Sequence, residues 1–233
     1  MKKCILLSMA LFLIINVNAQ QLLTPSFTYS HKKTSYITMK DGTELAGTLS
    51  KLSRKKGLIN EVRINDGSGK DKKLKPSEIS HMYLPPTNLD ALSKKIDMLT
   101  DIQKWNDEKL NQDLINEGYV YIENAQVVIK KKEYTMLMQL LNPSFSKEVK
   151  VYHDPLAKET ASVGVAGVTV AGGDAKSYYI KKGDKAAFKL LKKNYNKEFK
   201  PLWGNCPNVM DNNPKISWTQ LTKHILEYSE CAE

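Results

Sequence analysis

The chain has 233 residues, with 35 Lys and Arg against 25 Asp and Glu and a formal net charge of +10; this length accommodates two small domains or one elaborate domain. Arginine occurs only at Arg54 and Arg63, whereas planar recognition of phosphates or base edges prefers arginine to lysine. The charge therefore argues against a dedicated nucleic-acid reader, and it is compatible with an anionic partner such as an acidic glycan or a lipid headgroup.

The first residues of the chain have the pattern of a secretory signal. Lys2 and Lys3 precede an apolar run over residues 5–15, and residues 17–19 offer a small-x-small cleavage site. The run is short for a membrane span, which needs about 20 residues, and no later segment is long and apolar enough to be one. We therefore expect cleavage after Ala19, which lowers the net charge to +8, and a soluble mature chain in the periplasm or outside the cell.

Residues 36–84 have the pattern of five short strands. Asp41-Gly42 and the Gly-rich run at 65–69 are strong turn signals, because glycine adopts positive φ freely. Five short strands in about fifty residues suit a small barrel, since closure leaves no open strand edge. The sequence therefore predicts a small five-stranded, β-barrel-like domain over residues 20–86.

The turn at 40–43 and the Leu45-x-Gly47-x-Leu49 strand after it resemble the corresponding part of small Sm-like or SH3-like barrels. The resemblance covers this unit alone and implies a barrel fold. Sm-like proteins hold RNA bases through a later Arg-Gly signature, which this sequence lacks. The resemblance therefore does not extend to RNA binding.

Pro85-Pro86 breaks the strand pattern and predicts a domain boundary. Apolar residues then recur at spacings of three and four over residues 89–102, which predicts an amphipathic helix. Residues 105–117 are polar and predict a connector. Residues 87–118 are thus the expected helical linker.

Residues 119–233 predict an α+β domain with strands first and helices last. A β-rich run covers residues 119–129. Residues 134–141 fit either a helix or a buried strand, and the turn that follows favours a strand. That strand would form a hairpin with residues 149–152, and another strand is expected at 177–181.

Residues 161–173 carry no charge and are rich in glycine, valine and alanine. They lack both the Gly-Lys-Ser/Thr ending of a phosphate-binding loop and the glycine spacing of a dinucleotide-binding turn. Small residues on a strand indicate close packing, so we expect a strand at the centre of a sheet. The alternative is an exposed edge on which copies of the chain assemble.

The C-terminal region predicts helices. Asp184 is the expected N-cap of a first helix, whose apolar face begins at Ala187 and which Pro201 interrupts. Ser217 and Gln220 match a capping box at the start of the last helix, in which both residues satisfy main-chain donors. The region thus predicts helices that close the second domain.

Cysteine usage agrees with export. Cys4 would leave with the signal, so that Cys206 and Cys231 remain, an even number in an oxidising compartment. Neither has a Cys-x-x-Cys neighbour or a histidine at metal-ligand spacing. We therefore expect a disulfide between them, with a nucleophilic thiol or half of a metal site as the alternatives.

His153, Asp154 and Glu159 are the sequence's candidate titratable cluster. A histidine beside acids can serve as a base or as a metal ligand. Adjacent residues on a strand point to opposite faces, however, so His153 and Asp154 would share a site only if the strand ended between them. The Ser-based elbows and Ser-x-x-Lys pairs of hydrolases are missing. We therefore predict no catalytic, cofactor-binding or metal-binding residue beyond these three candidates.

The chain resembles an uncharacterised family of exported proteins from the Bacteroidetes phylum, through residues 18–20, 154–160 and 172–179 and the Cys206-Pro207 turn. The resemblance implies an exported α+β protein and carries no activity with it. We therefore predict a non-enzymatic envelope or secreted protein that binds a partner protein or an anionic envelope component, without a cofactor. The alternatives are a hydrolase with an unrecognised site and a self-assembling structural subunit.

Overall fold

The computed structural model describes residues 22–87, 107–157, 163–165, 168–171 and 175–232. The signal region, the predicted helix at 89–102 and Glu159 lie outside these ranges. The α-helices within them are α1 (Gln112–Asn116), α2 (Tyr195–Trp203), α3 (Pro207–Asn212) and α4 (Leu221–Ala232). The strands are β1 (Thr34–Met39), β2 (Glu44–Lys55), β3 (Leu58–Asn65), β4 (Asp71–Leu74), β5 (Ile79–Leu84), β6 (Val120–Ile129), β7 (Lys132–Gln139), β8 (Val149–His153), β9 (Val163–Val165), β10 (Val168–Ala171), β11 (Ser177–Lys182) and β12 (Ala187–Leu191).

Ten of the described strands form one open sheet in the order β4-β3-β2-β1-β5-β6-β12-β11-β8, with β7 paired to β6. The mixed α and β class, with strands before helices in the second half, is confirmed. The predicted closed barrel is wrong, because β5 continues the sheet into β6, with Leu84 opposite Val120. Strand β4 is left as an edge, and the exposed Lys72 and Lys73 on it oppose pairing with another chain.

Strand β6 joins the two halves of the sheet. It pairs with β5 and with β12 along one edge, and with β7 along the other. Lys130 and Lys131 turn the chain from β6 into β7 at φ of 48° and 66°, the left-handed conformation that tight hairpins require at both central positions. The strand predicted at 134–141 is confirmed up to Gln139. Its hairpin partner is β6 and not β8. The residues after β7 contact β8, through a bridge from Leu140 to Tyr152 and a hydrogen bond from the Leu141 amide to the Val151 carbonyl.

Residues 187–191 form strand β12 and not the predicted helix. Phe188 lies opposite Ile180 of β11, and Ala187 lies opposite Val127 of β6. Gly183 has a φ of 57° and belongs to the turn of this hairpin, so Asp184 caps no helix. Pairing on both edges outweighs the helical spacing of the apolar residues, since tertiary contacts override local propensity.

The helices also differ in detail from the prediction. Helix α2 continues through Pro201 to Trp203, so the proline does not end it. The predicted capping box does not form, because the Ser217 hydroxyl lies 2.8 Å from that of Thr219. A 3-10 turn, Trp218–Gln220, leads into α4 instead.

The uncharged segment contains two short strands and not one. Strands β9 and β10 pair with each other, Val165 opposite Val168, and form a two-stranded sheet outside the ten-stranded one. The predicted central position is therefore wrong. Assembly of copies through this hairpin stays a prediction.

Apolar side chains form three buried clusters in the described residues. One lies under the N-terminal strands, one lies between the C-terminal helices and the sheet, and the third connects them. Representative members are Ile37 and Met82 in the first, Trp203 and Ile225 in the second, and Tyr152 in the third. None of the helices in the described ranges is long and apolar enough to cross a membrane.

Cys206 and Cys231 lie side by side in the C-terminal helical layer. Their Cα atoms are 5.7 Å apart at a sequence separation of 25, within the range of a disulfide. Cys206 directly precedes α3 and Cys231 lies in the last turn of α4. The pair is therefore placed to fasten these two helices together, as the sequence predicts.

Candidate binding pocket

A pocket of about 70 Å³ opens between residues 22–30, which we call the N-terminal arm, and the strands of the sheet. We call it the Phe27 pocket. A single water needs about 10–15 Å³ of such space, so the pocket has room for a small chemical group. Its wall includes Phe27, Arg54, Ile59, Leu137, Gln139 and His153.

Main-chain hydrogen bonds hold the N-terminal arm against the sheet. The Leu23 amide donates to the Leu141 carbonyl at 2.7 Å, and the Ser30 amide donates to the Pro85 carbonyl at 2.8 Å. The Tyr29 hydroxyl, from a ring that is 5 % exposed, donates to the Ser26 carbonyl at 2.9 Å. The arm is thus a fixed wall of the pocket.

Two large apolar side chains are exposed at this place. The ring of Phe27 is 52 % exposed and stands edge-on to His153, with ring centroids 5.4 Å apart. Leu156 is 65 % exposed and follows Pro155, which also lines the pocket. Exposed aromatic and aliphatic groups beside a concavity are the features by which binding surfaces hold an anchor residue.

Arg54 brings a positive charge to the pocket wall. Its Nη1 donates to the Phe27 carbonyl at 2.9 Å, and its Nη2 donates to the Tyr29 hydroxyl at 3.4 Å. The guanidinium carbon lies 5.7 Å from the centre of the Tyr29 ring. Among the described residues that line the pocket there is no Asp or Glu, so no carboxylate in the lining neutralises this charge.

Two buried polar atoms in the lining have no hydrogen-bond partner among the described residues. They are Nε2 of Gln139, a residue that is 8 % exposed, and Nε2 of His153. A buried donor left unpaired costs roughly 1–3 kcal/mol, and buried polar groups in folded proteins are nearly always paired. A ligand that carries a hydrogen-bond acceptor would satisfy the Gln139 donor, and a polar group of the same ligand could pair with His153 Nε2 in either tautomer.

Burial lowers the pKa of His153 to about 4, against the opposing effect of the Asp154 carboxylate and with a smaller contribution from Arg54. The imidazole is therefore neutral at pH 7. A general base works best when its pKa lies near the operating pH. This arrangement gives little support to a catalytic His153.

Asp154 has its own partners, away from the pocket. Its carboxylate is 1 % exposed and lies 2.5 Å from the Lys189 ammonium, and it accepts from the Ser177 hydroxyl at 2.6 Å. The Leu156 amide also donates to it, at 3.1 Å. Asp154 therefore joins β8, β11 and β12 and does not form a site with His153.

A second polar cluster surrounds Glu123 and is satisfied internally. Glu123 accepts from the Lys150 ammonium at 3.0 Å and from the Tyr152 hydroxyl at 2.6 Å, and Asp107 lies 3.4 Å from Lys150. Burial raises the pKa of Tyr152, as it does that of Tyr121, which also donates to Glu123. The single ammonium of Lys150 pairs with both carboxylates and offsets one of their two charges, and these ion pairs join the segment before α1 to the sheet.

His224 is part of the C-terminal core. Trp203 Nε1 donates to the Tyr195 hydroxyl at 3.2 Å, and that hydroxyl lies 2.6 Å from His224 Nδ1. The contact between the Tyr195 hydroxyl and Nδ1 is buried, and Nε2 of the same imidazole has no partner among the described residues. Burial, and then the nearby Lys223, lowers the pKa of His224 to about 4. This histidine positions α2 against α4.

Sequence reasoning selected only His153 among the residues of the pocket. Phe27, Arg54 and Gln139 come from three other segments, and only the rarity of arginine could have drawn attention to one of them.

In the described part of the chain, no three His, Cys, Asp or Glu residues lie close enough together to hold a metal ion. Comparison with protein-family models, curated proteins and solved structures gives no significant match to this chain.

Proposed function

We propose that this is a non-enzymatic protein, exported after cleavage following Ala19, which binds a partner protein through the Phe27 pocket. The observation that carries the proposal is the buried and unpaired Nε2 of Gln139 in a pocket next to the half-exposed ring of Phe27. One bound ligand could give the unpaired polar atom a hydrogen-bond partner and remove the apolar ring from water. Both changes lower the free energy of the complex.

The size and composition of the pocket favour recognition of one anchor group. Binding energy in protein interfaces concentrates in a few residues that fill desolvated pockets. Ile59, Ile122 and Leu137 supply apolar lining, while the exposed part of the Phe27 ring and Leu156 extend the apolar surface beyond the pocket. The pocket thus suits a side chain that projects from a larger molecule.

Affinity capture from envelope extract tests the proposal. The mature chain carrying a C-terminal tag is compared with Phe27→Ala and with Tyr134→Ala, a control at an aromatic ring of similar exposure, 46 %, on β7. We expect the captured partner to be lost, as quantified by mass spectrometry, for Phe27→Ala and retained for Tyr134→Ala. Equal recovery with all three proteins would refute the role of the pocket, and an intact mass that retains residues 1–19 would refute export.

A further inference from the structure

We infer that the Phe27 pocket recognises the C-terminal residue of a peptide, with a small aliphatic side chain inside the pocket and the terminal carboxylate facing Arg54 and Gln139. This inference rests on the proposed function and specifies the chemistry of the anchor group.

The polar groups of the lining require an acceptor. Gln139 Nε2 carries two N–H donors and has no partner among the described residues. Arg54 has five N–H donors, of which one points to the Phe27 carbonyl and one to the Tyr29 hydroxyl. Guanidinium groups bind carboxylates with two parallel hydrogen bonds, so a carboxylate fits this set of donors better than a hydroxyl or an amide does.

The volume of the pocket limits the apolar part of the ligand. About 70 Å³ lined by Ile59, Ile122 and Leu137 accommodates a small aliphatic side chain, and it is too small for a sugar ring or a long acyl chain. The half-exposed ring of Phe27, on the wall of the pocket, and the exposed Leu156, next to the lining residue Pro155, face solvent at its mouth. They are placed to contact the residues that precede the anchor, which favours a peptide over an isolated short-chain acid.

The charge of the lining excludes a free amino acid. A free amino acid carries an ammonium group beside its carboxylate, and the described lining offers no Asp or Glu to pair with it. A second positive charge near Arg54 would be repelled. In the C-terminal residue of a peptide that nitrogen is a neutral amide, so the repulsion does not arise.

Direct titration of the mature protein tests the inference. The probes are N-acetyl-Gly-Gly-Val with a free carboxylate, the same peptide with a C-terminal amide, and isovalerate, and binding is followed by calorimetry. We expect the free acid to bind at least about tenfold more tightly than the amide, because a charge-assisted hydrogen bond is lost. Equal affinity for the free acid and the amide would refute recognition of the carboxylate. Isovalerate binding as tightly as the peptide would refute recognition of the residues that precede the anchor.

A pair of substitutions separates binding from stability. Gln139→Met removes the unpaired donor and should weaken binding of the free acid by about tenfold or more without lowering the melting temperature. Gln126→Met, at an exposed glutamine of the neighbouring strand β6, should change neither property. Undiminished binding by Gln139→Met would contradict the inference. If the acid does not bind at all while Phe27→Ala still loses the captured partner, the inference fails and the proposed function stands.

Discussion

The ring of Phe27 stands edge-on against the imidazole of His153, with their centroids 5.4 Å apart. Phe27 belongs to the N-terminal arm and His153 ends strand β8, so this contact closes the pocket between two segments that are distant in sequence. Each side chain has a second property that a purely structural contact does not need. The phenyl ring is half exposed, and the imidazole keeps a buried nitrogen without a partner among the described residues.

Substitution at Gly57 tests the wall of the pocket opposite the arm. A β carbon at Gly57 would lie 2.9 Å from the β carbon and the carbonyl oxygen of Pro155, whereas one at Gly67 would meet nothing within 4 Å. Both glycines have positive φ, 79° and 88°, so either alanine variant should lose roughly 1 kcal/mol of unfolding free energy from backbone strain. We expect Gly57→Ala to lose more, and to weaken peptide binding, as measured by urea unfolding and calorimetry. Equal losses for the two variants would mean that Gly57 and Pro155 are free to separate.

Removal of the Asp154 charge should destabilise the fold. Asp154→Asn leaves the Lys189 ammonium without its buried carboxylate and weakens the hydrogen bond from Ser177. Lys189 is one-third exposed and can recover some hydration, so we expect a loss of about 2 kcal/mol in unfolding free energy. Glu78→Gln is the control, because its ion pair with Lys75 is exposed and should contribute less than about 0.5 kcal/mol. An Asp154→Asn variant as stable as the control would show that the buried pair contributes nothing net.

The Cys206–Cys231 pair should form a disulfide in the folded protein. Thiol titration of the unfolded, unreduced protein should detect close to no free thiol. Reduction should then lower the unfolding free energy by about 3 kcal/mol, the value expected from loop entropy for a loop of this size. The Cys206→Ser/Cys231→Ser double variant should have the same unfolding midpoint as the reduced protein. Addition of reductant should not change that midpoint. Two reactive thiols per chain in the untreated protein would contradict the prediction.

Two buried histidines should make the protein less stable in acid. Burial lowers the pKa of both His153 and His224 to about 4 in the folded protein, whereas an unfolded histidine titrates near pH 6.5. Between about pH 4 and pH 6.5 the unfolded state therefore binds more protons, so the unfolding free energy is greatest above this range and falls as the pH is lowered through it. The slope is at most about 1.4 kcal/mol per pH unit for each histidine. Proton NMR should find both rings neutral at pH 5.5, and a ring that is half protonated there would contradict the prediction.

Local patterns predicted strands well where turns were marked by glycine. The Asp41-Gly42 turn and the run at 65–69 separate β1, β2, β3 and β4 as expected. The closed barrel was wrong because closure depends on which strand lies next to β5, and that neighbour, β6, is distant in sequence. The helix at 187–191 was wrong for a similar reason, since its apolar spacing fits both structures and only pairing with β6 and β11 decides between them.

The candidate site could be predicted only in part. His153 is recognisable from sequence because histidines are few. Strand β8 ends between His153 and Asp154, so it is the pairing of Asp154 with Lys189 and Ser177 that separates the two residues, and not alternation along a strand. Gln139 and Phe27 have no local pattern that distinguishes them from other residues of their types. Their significance depends on the missing partner of one and the exposure of the other, and both properties arise from packing between distant segments.

The contacts of the N-terminal arm with later parts of the chain determine the order in which the parts of the pocket can form. In a chain that is synthesised from its amino end, the arm leaves the ribosome before any of its partners. The carbonyl of Pro85 becomes available to Ser30 first, and that of Leu141 becomes available to Leu23 only after β6 and β7 have followed. Domains can begin to fold while the rest of the chain is still emerging, but the second of these hydrogen bonds cannot form until the residue after β7 that accepts it is present. Because His153 ends β8 and lines the Phe27 pocket, the pocket is complete only after β8 has been added, and a shorter nascent chain has no finished site for a ligand.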